Sequence, residues 1–176
     1  MAKLTPPVNQ NDHIQGSPDA LLVLVEYGDY QCPHCGAAHS IIKEIQKRLG
    51  KNLSFVFRNF PLTNVHEFAM PAAIAAEAAD RQSKFWPMHD IIYERQLELG
   101  RSAFVKFAEE LGLDVPLFKT HLHDHSMVEK IESHFESGIR SGVNGTPSFF
   151  INGRKYNGSY DFVYLYSELE GKVVNI

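Results

Sequence analysis

The order of apolar and polar residues in the first third of the chain predicts a strand, a helix and a second strand. Residues 21–27 form a nearly continuous apolar run, which is typical of a strand buried on both faces of a sheet. Apolar residues then recur at helical spacing from Ala38 to Leu49, and Gly50 ends that helix. A second apolar run over residues 53–58 predicts another strand, so this part of the chain is a βαβ unit.

The middle of the chain predicts helices alone. Residues 64–126 contain an Ala-rich stretch and further amphipathic segments, each closed by Gly or by polar residues. We interpret this region as a compact helical insertion. A further helix over residues 127–140 returns the chain to the sheet.

The last part of the chain predicts a β-hairpin followed by a helix. Residues 147–151 and 154–156 flank Asn152-Gly153, a dipeptide that supplies the positive φ angles of a type I′ turn. A helix over residues 162–169 ends the pattern. These elements predict a single α/β domain over residues 12–176, with the insertion at residues 64–126 and a loosely ordered arm over residues 1–11.

Composition and charge exclude several classes of partner. The 176 residues are 44% hydrophobic and 22% charged, as in an ordinary globular domain. The net charge of -4 offers no electrostatic attraction to nucleic acid or to an anionic membrane, and neither is expected as a partner. The N-terminal residues lack the apolar core of a secretory signal. We therefore expect a cytoplasmic protein, or a periplasmic one if a native leader is missing from this sequence.

The two cysteines carry the strongest chemical signal. Cys32 and Cys35 enclose Pro33 and His34 where the first strand gives way to the helix, and the chain has no other cysteine. A C-x-x-C pair beside a βαβ pattern is typical of a redox dithiol. A structural zinc site normally needs four ligands, which a single pair does not supply. The pattern favours a redox pair over a metal site or structural cysteines.

The position of the pair predicts a different role for each sulfur. Cys32 would stand at the N-terminus of the helix, where Pro33 suits the first turn and the free N–H groups stabilise a thiolate. Its pKa should therefore fall below the free value of about 8.5, and His34 can add positive charge nearby. Cys35, one turn further along, is expected to be the buried resolving thiol.

Two acidic residues near the cysteines are candidates for proton transfer. Glu26 lies inside the apolar first strand, where an unpaired carboxylate would have a raised pKa and could exchange a proton with Cys35. The alternative is that its carboxylate simply reaches the edge of the sheet. Asp29 competes for this role, but its place in a turn predicts that it is exposed.

A group of three histidines resembles a metal site only superficially. His121, His123 and His125 alternate with other residues and do not share one face of a helix. We expect them to be solvated surface residues, and we expect no metal ion.

Two motifs together carry a resemblance to a known family. Cys32-Pro33-His34-Cys35 follows the first long strand, and Gly145-Thr146-Pro147 precedes the hairpin. The combination resembles the thioredoxin superfamily, and the Pro-His dipeptide with the helical insertion resembles the DsbA-type thiol-disulfide oxidoreductases. The resemblance implies a thioredoxin fold, with βαβ and ββα halves around a mixed sheet.

The resemblance also implies how the site works. It implies a cis peptide bond before Pro147, which would turn the Thr146 backbone toward the cysteines to bind an extended substrate. An acidic residue at the strand position of Glu26 is also frequent in thioredoxin-like proteins.

The expected function is dithiol-disulfide exchange with protein or peptide thiols. We expect a monomeric dithiol oxidase, recharged by an unidentified redox partner, whose only redox group is the Cys32–Cys35 disulfide. Two alternatives remain open. One is a disulfide reductase or isomerase acting in the cytosol with the same cysteines. The other is a binding module whose affinity for a partner is switched by the disulfide.

Overall fold

A five-stranded mixed sheet forms the centre of the computed structural model, which describes residues 2–174. The order of the strands across the sheet is β1-β3-β2-β4-β5. Strands β2 and β3 are parallel, and the other neighbouring pairs are antiparallel. The strands are β1 (His13–Gly16), β2 (Leu22–Gly28), β3 (Leu53–Asn59), β4 (Ser148–Ile151) and β5 (Arg154–Tyr156).

Residues 2–174 contain seven α-helices, which surround the sheet. The first connects β2 to β3, the next four form the insertion, the sixth returns the chain to β4, and the last follows β5. Within residues 2–174, no helix is both long and apolar enough to cross a membrane. The helices are α1 (Pro33–Leu49), α2 (Ala69–Asp80), α3 (Phe85–Glu94), α4 (Ala103–Glu110), α5 (Val115–His121), α6 (His125–Arg140) and α7 (Phe162–Val174).

This architecture confirms the α/β fold predicted from the sequence. The two halves are β2-α1-β3 and β4-β5-α7, and an all-helical segment lies between them. The hairpin turns where expected, since Asn152 and Gly153 have φ angles of 47° and 77°. Residues 175–176 of the predicted domain lie outside the described residues.

The burial of β2 explains its continuous apolar run. Leu22 and Leu24 belong to the large core that also contains residues of α1 and of the insertion. Val25 and Tyr27 belong to a second core on the other face of the sheet. Both faces are covered, so the side chains of β2 are buried on both sides of the sheet, except for Val23, which is partly buried.

The N-terminal segment differs from the loosely ordered arm expected. The side chain of Leu4 is buried, and its N–H donates a hydrogen bond to the carbonyl of Gly153 at 2.9 Å. The edge strand β1 was also not predicted. It is four residues long with a mixed polar pattern, so it carries no apolar run of its own.

A buried arginine fastens this segment to the sheet. Arg58 on β3 donates to both carboxylate oxygens of Asp12 at 2.8 Å and to the Tyr27 hydroxyl at 2.9 Å. It also donates to the carbonyls of Pro6 and Pro7. A buried guanidinium is tolerated when all its donors are used, as they are here. The N-terminal residues are therefore ordered by contacts that no local pattern reveals.

A second buried ionic group joins β1, α2, β3 and α6. The Glu77 carboxylate accepts hydrogen bonds from His13 Nε2 and Lys130 Nζ, both at 2.9 Å, and from Asn59 Nδ2 at 2.8 Å. Burial opposes ionisation of Glu77, but its bonds with His13 and Lys130 prevail and lower its pKa to about 2. The ionised carboxylate thus stabilises the junction of four elements.

Replacing this carboxylate should change the acid sensitivity of the fold. The Glu77 pKa is about 2 in the folded protein and 4.5 ordinarily, so its stabilising effect is complete above pH 4.5 and is lost as the pH falls to about 2. Glu77→Gln should lower the free energy of unfolding at pH 7 by about 3 kcal/mol. It should also flatten the loss of stability below pH 4.5, as measured by urea unfolding at several pH values.

The matched control is Glu132→Gln, because Glu132 is exposed on α6. This variant should unfold like the parent protein at every pH. An unchanged acid dependence in Glu77→Gln would contradict an ionised Glu77.

Candidate active site

The turn between β2 and α1 places Cys32 at the start of the helix. Cys32 is the N-cap residue of α1 and Pro33 occupies the first helical position. The Cys32 carbonyl accepts the first helical hydrogen bond, from the N–H of Gly36 at 3.1 Å. The predicted helix-start position of Cys32 is confirmed, and the free N–H groups of the first turn face its sulfur.

Asp29 orders this turn and is not exposed, contrary to the prediction. Its side chain is buried, and its Oδ1 atom accepts hydrogen bonds from the N–H groups of Gln31 and Cys32 at 2.7 and 3.1 Å. Its Oδ2 atom accepts from the N–H of Leu62 and from His66 Nδ1, both at 2.8 Å. An aspartate that bonds N–H groups of its own turn is satisfied without water. Asp29 therefore has a positioning role.

The two thiols differ strongly in acidity. Both cysteines are free and buried. The hydrogen bond from the Cys35 thiol is the largest cause that lowers the pKa of Cys32, to about 5, against the opposing effect of burial. The backbone N–H groups of His34 and Cys35 act in the same direction. Burial and that same hydrogen bond raise the pKa of Cys35 well above its usual range.

His34 contributes to the site through its backbone N–H, and its ring lies exposed beside the cysteines. Its N–H helps to lower the pKa of Cys32, while its exposed ring has Nδ1 3.1 Å from the hydroxyl of Tyr160. Pro33 is also exposed. The side chains between the two cysteines thus face the region from which a partner thiol would approach.

The structure brings Thr146 and Pro147 to the cysteines across 114 positions of sequence. The Cys32 thiol donates to the Thr146 carbonyl at 3.5 Å, and the Thr146-Pro147 peptide bond is cis. The Thr146 side chain also helps to lower the pKa of Cys32. No partner for the buried Thr146 hydroxyl oxygen is found in the described part of the chain. That hydroxyl is therefore available to a thiolate.

Glu26 is a buried and unpaired carboxyl group. It lies on β2, the central strand between β3 and β4, and only 2% of its surface is exposed. The alternative in which its carboxylate reaches the sheet edge is therefore wrong. Its Oε1 atom has no hydrogen-bond partner among residues 2–174. Burial, and then the charge of a Cys32 thiolate, raise the Glu26 pKa to about 8, and the Glu26 charge in turn raises the pKa of Cys35.

Gln96 belongs to the site although the sequence analysis did not identify it. It follows α3 in the insertion, and its Nε2 atom donates to the carbonyls of Tyr30 and Cys32 at 2.8 and 3.0 Å. A side chain at position 36 would displace the Gln96 amide from these hydrogen bonds. No local signal could reveal this contact, because it depends on how the insertion packs.

The three alternating histidines do not come together as metal ligands in the described residues. His123 and His125 are exposed, as expected, whereas His121 is half-buried. His123 Nδ1 donates to the backbone carbonyl of Lys119 at 2.8 Å. The two groups of possible ligands that do come together are His39, His89 and Asp90, and His13, Glu77 and Asp80.

The split in thiol acidity predicts selective alkylation. At pH 6 Cys32 should be mostly thiolate, whereas Cys35 should be protonated and shielded. Iodoacetamide should therefore modify Cys32 far faster than Cys35, with a rate that falls as the pH drops through about 5. Peptide mass spectrometry of the reduced protein measures both rates, and equal rates would contradict the assignment.

Two variants at position 35 test whether the hydrogen bond from the Cys35 thiol lowers the pKa of Cys32. Cys35→Ala removes the main hydrogen-bond donor and should move the alkylation midpoint of Cys32 to higher pH. Cys35→Ser keeps a hydroxyl donor at the same place and should move it less.

Glu26→Gln should change both kinetics and stability. The variant removes the candidate proton carrier for Cys35. The change in the rate of thiol exchange that follows the titration of Glu26 near pH 8 should therefore disappear from the pH-rate profile. The folded protein keeps Glu26 protonated up to about pH 8, while an unfolded chain ionises near 4.5, so Glu26 costs stability increasingly between these values. The variant should therefore be more stable at pH 7, by roughly 3 kcal/mol.

An unmoved pH-rate profile together with increased stability would assign Glu26 a purely structural effect. An exposed control is Glu44→Gln on α1, which has no contact with the site and should change neither the profile nor the neutral-pH stability by a comparable amount.

Solved structures share this fold. BdbD from Bacillus subtilis, in its oxidised form, superposes with a TM-score of 0.84 at 22% identity, covering 98% of each chain. The thiol-disulfide exchange protein alpha-DsbA2 from Wolbachia pipientis gives a TM-score of 0.82 at 20% identity, covering 93% of this chain and 88% of that one. These likenesses show that the fold is that of both proteins.

Sequence comparison adds a relative of a different size and identifies the family. The chain is 40% identical over 158 residues to the Na(+)/H(+) antiporter NhaA 1 of Salinispora arenicola, a match that covers 90% of this chain. The chain spans only 24% of the length of that relative. A family model described as thioredoxin matches residues 8–169. Because this match covers nearly the whole chain, the protein belongs to the thioredoxin family.

Proposed function

We propose that the protein is a thiol-disulfide oxidoreductase that acts as a dithiol oxidase on protein or peptide thiols. The observation that carries this proposal is the difference in acidity between its two thiols. Cys32 has a pKa of about 5, whereas the pKa of Cys35 lies well above its usual range. A pair with one stable thiolate and one protonated thiol is suited to disulfide exchange.

The reaction begins with the disulfide form of the protein. A substrate thiolate attacks the Cys32 sulfur, the Cys32–Cys35 bond breaks, and a mixed disulfide forms between substrate and Cys32. The Cys35 sulfur leaves with the electron pair and takes up a proton. Glu26 is the proposed donor of this proton, because its pKa of about 8 keeps it protonated at neutral pH.

The second step releases the oxidised substrate. A second substrate thiolate attacks the substrate sulfur of the mixed disulfide, and Cys32 leaves as a thiolate. A thiol of low pKa is the better leaving group, so the acidity of Cys32 favours this direction. The substrate has lost two electrons and gained a disulfide, and the protein holds the dithiol.

The energetics favour the reduced protein. With a Cys32 pKa of about 5, ionisation at pH 7 stabilises the dithiol by about 3 kcal/mol, which corresponds to about 60 mV for two electrons. The disulfide is then a strong oxidant. We also propose that the His34 side chain adds to this stabilisation from its place between the cysteines.

Substrate binding is proposed at the loop that contains Thr146 and Pro147. Both residues are half-buried, and the Thr146 carbonyl lies 3.5 Å from the Cys32 sulfur. An extended peptide lying along this loop could pair with it through main-chain hydrogen bonds while its thiol reaches Cys32. Substrates would then be selected by backbone shape more than by side chain.

The net direction would depend on the compartment. A cytoplasm poised at roughly -220 to -320 mV would keep such a pair reduced, which suits a reductase or isomerase. An oxidising compartment with a recycling partner would keep it as the disulfide. All the electrons of the exchange are carried by the two sulfurs of one chain, so we propose that the protein works as a monomer without a redox cofactor.

The match to an antiporter supports a second candidate. The chain resembles a segment that makes up 24% of the relative named as an antiporter. A redox domain of this kind could be a module whose disulfide state regulates a partner by altering binding. Such a module would change affinity on reduction but would not turn over unrelated substrates.

The reduction potential tests the oxidase proposal. Equilibrated against glutathione, the Cys32–Cys35 pair should have a potential above the roughly -270 mV of thioredoxin. By linkage the reduced protein should melt at a higher temperature than the oxidised one. A potential at or below -270 mV, or a less stable reduced form, would promote the reductase alternative.

Variants separate the candidates. In Cys35→Ala the Cys32 thiolate should attack an unrelated protein that contains a disulfide and accumulate as a mixed disulfide, with the second substrate sulfur released as a thiol, whereas Cys32→Ala should abolish exchange. His34→Gln should lower the potential, whereas His123→Gln, at an exposed position far along the chain, should not. Redox-dependent binding without any turnover would favour the regulated module.

A further inference from the structure

Helices α1 and α3 bring three possible metal ligands together about one helical turn from Cys35. His39 lies on α1, one turn beyond Cys35, while His89 and Asp90 lie on α3. One ring nitrogen of each histidine and one carboxylate oxygen of Asp90 all lie within 4.8 Å of one another. Both histidines are buried, and the side chain of Asp90 is 25% exposed.

Two atoms of this group lack the hydrogen bonds that buried polar atoms normally make. His39 Nε2 and Asp90 Oδ1 are both buried and have no partner within the described residues. They face each other at 3.7 Å, which is too long for a hydrogen bond. Buried polar atoms of native proteins are nearly always satisfied, so this arrangement requires an explanation.

We propose that His39, His89 and Asp90 bind a borderline divalent transition-metal cation, for which Zn²⁺ is the natural probe. Imidazole nitrogen and carboxylate oxygen are ligands that Zn²⁺ accepts, at about 2.0 to 2.2 Å. Ligand atoms of a tetrahedral site at that bond length are about 3.4 Å apart. The 3.7 Å between His39 Nε2 and Asp90 Oδ1 is close to this value. The partial exposure of Asp90 leaves room for water as a fourth ligand.

The neighbours of the three ligands suit this role. Lys43 Nζ donates to Asp90 Oδ2 at 2.7 Å, which orients the carboxylate and leaves Oδ1 directed at His39. His89 Nδ1 is 2.9 Å from the Tyr30 hydroxyl. When Nδ1 donates this hydrogen bond, the other nitrogen of the neutral ring is free to bind a cation.

The second cluster of possible ligands is less suitable. The ammonium group of Lys130 lies 2.9 Å from both Glu77 Oε2 and His13 Nε2. An ammonium group therefore contacts two of the three possible ligands of that cluster. In the first cluster Lys43 contacts only Asp90 Oδ2, which leaves Asp90 Oδ1 and His39 Nε2 without a hydrogen bond in residues 2–174.

A bound cation would link the helix that carries the cysteines to the helical insertion. His39 belongs to α1, and α3 leads directly to Gln96, which bonds the Cys32 carbonyl. The site would therefore stabilise the packing around the catalytic helix. The inference is independent of the direction of thiol exchange.

The experiment uses the oxidised protein, because the Cys32–Cys35 disulfide cannot bind zinc as a thiolate pair. Titration calorimetry with ZnCl₂ should show one saturable site per chain, and excess Zn²⁺ should raise the melting temperature. MgCl₂ should do neither, because Mg²⁺ prefers oxygen ligands and retains its waters. Absence of saturable Zn²⁺ binding would overturn the proposal.

Matched variants locate the site. Asp90→Asn should weaken Zn²⁺ binding at least about tenfold, and so should His39→Gln. Asp80→Asn, in the other cluster, and His125→Gln, at an exposed histidine, should leave it unchanged. Equal affinity in Asp90→Asn and the parent protein, or loss of binding in either control, would place the metal elsewhere and refute the proposal.

A measurement on the unmodified chain avoids any failure of the variants to fold. X-ray absorption of the oxidised protein loaded with one equivalent of Zn²⁺ should show two imidazole ligands and no sulfur. A zinc shell without two imidazoles would overturn the assignment.

Discussion

The carboxylate of Asp29 holds together the segments on which the active site depends. It accepts hydrogen bonds from the turn before α1, from Leu62 after β3 and from His66. A buried carboxylate must find its partners inside the protein, so its four hydrogen bonds restrict the turn to one geometry. That geometry places Cys32 at the N-cap of α1, where the Cys35 thiol and then the backbone N–H groups of the first turn lower its pKa.

The buried charges of the protein serve two different purposes. Arg58 and Glu77 use their hydrogen-bonding capacity on fixed partners, and these pairs join the N-terminal segment and α6 to the sheet. Glu26 has no such partner for Oε1, and burial keeps its pKa near 8. The unpaired group lies close enough to the two thiols that its charge raises the pKa of Cys35 and the charge of Cys32 raises its own pKa.

The helical insertion contacts the helix that carries the two cysteines. Gln96 bonds the carbonyl of Cys32, and its amide packs against Gly36. On the neighbouring part of α1, His39 approaches His89 and Asp90 of α3. The insertion therefore restrains α1 both at its first turn and at the next turn. A change in the packing of the insertion against α1 would therefore alter the surroundings of the cysteines without a substitution in residues 32–35.

Local signals determined much of this protein from the sequence alone. The apolar run of β2, the helical spacing of α1 and the turn at Asn152-Gly153 each depend on neighbouring residues, and each is present in the structure. The roles expected for Cys32 and Cys35 likewise rest on their position at a helix start, and their pKa shifts agree with those roles.

Contacts between distant segments were decided only by the tertiary structure. The ordered N-terminal segment depends on Arg58, the burial of Asp29 on Leu62 and His66, and the position of Gln96 on the packing of the insertion. The contact between Thr146 and Cys32 joins residues 114 positions apart, and only the family resemblance indicated it beforehand. Burial and hydrogen-bond partners of this kind are properties of the packed chain, because they depend on which segments exclude water from one another.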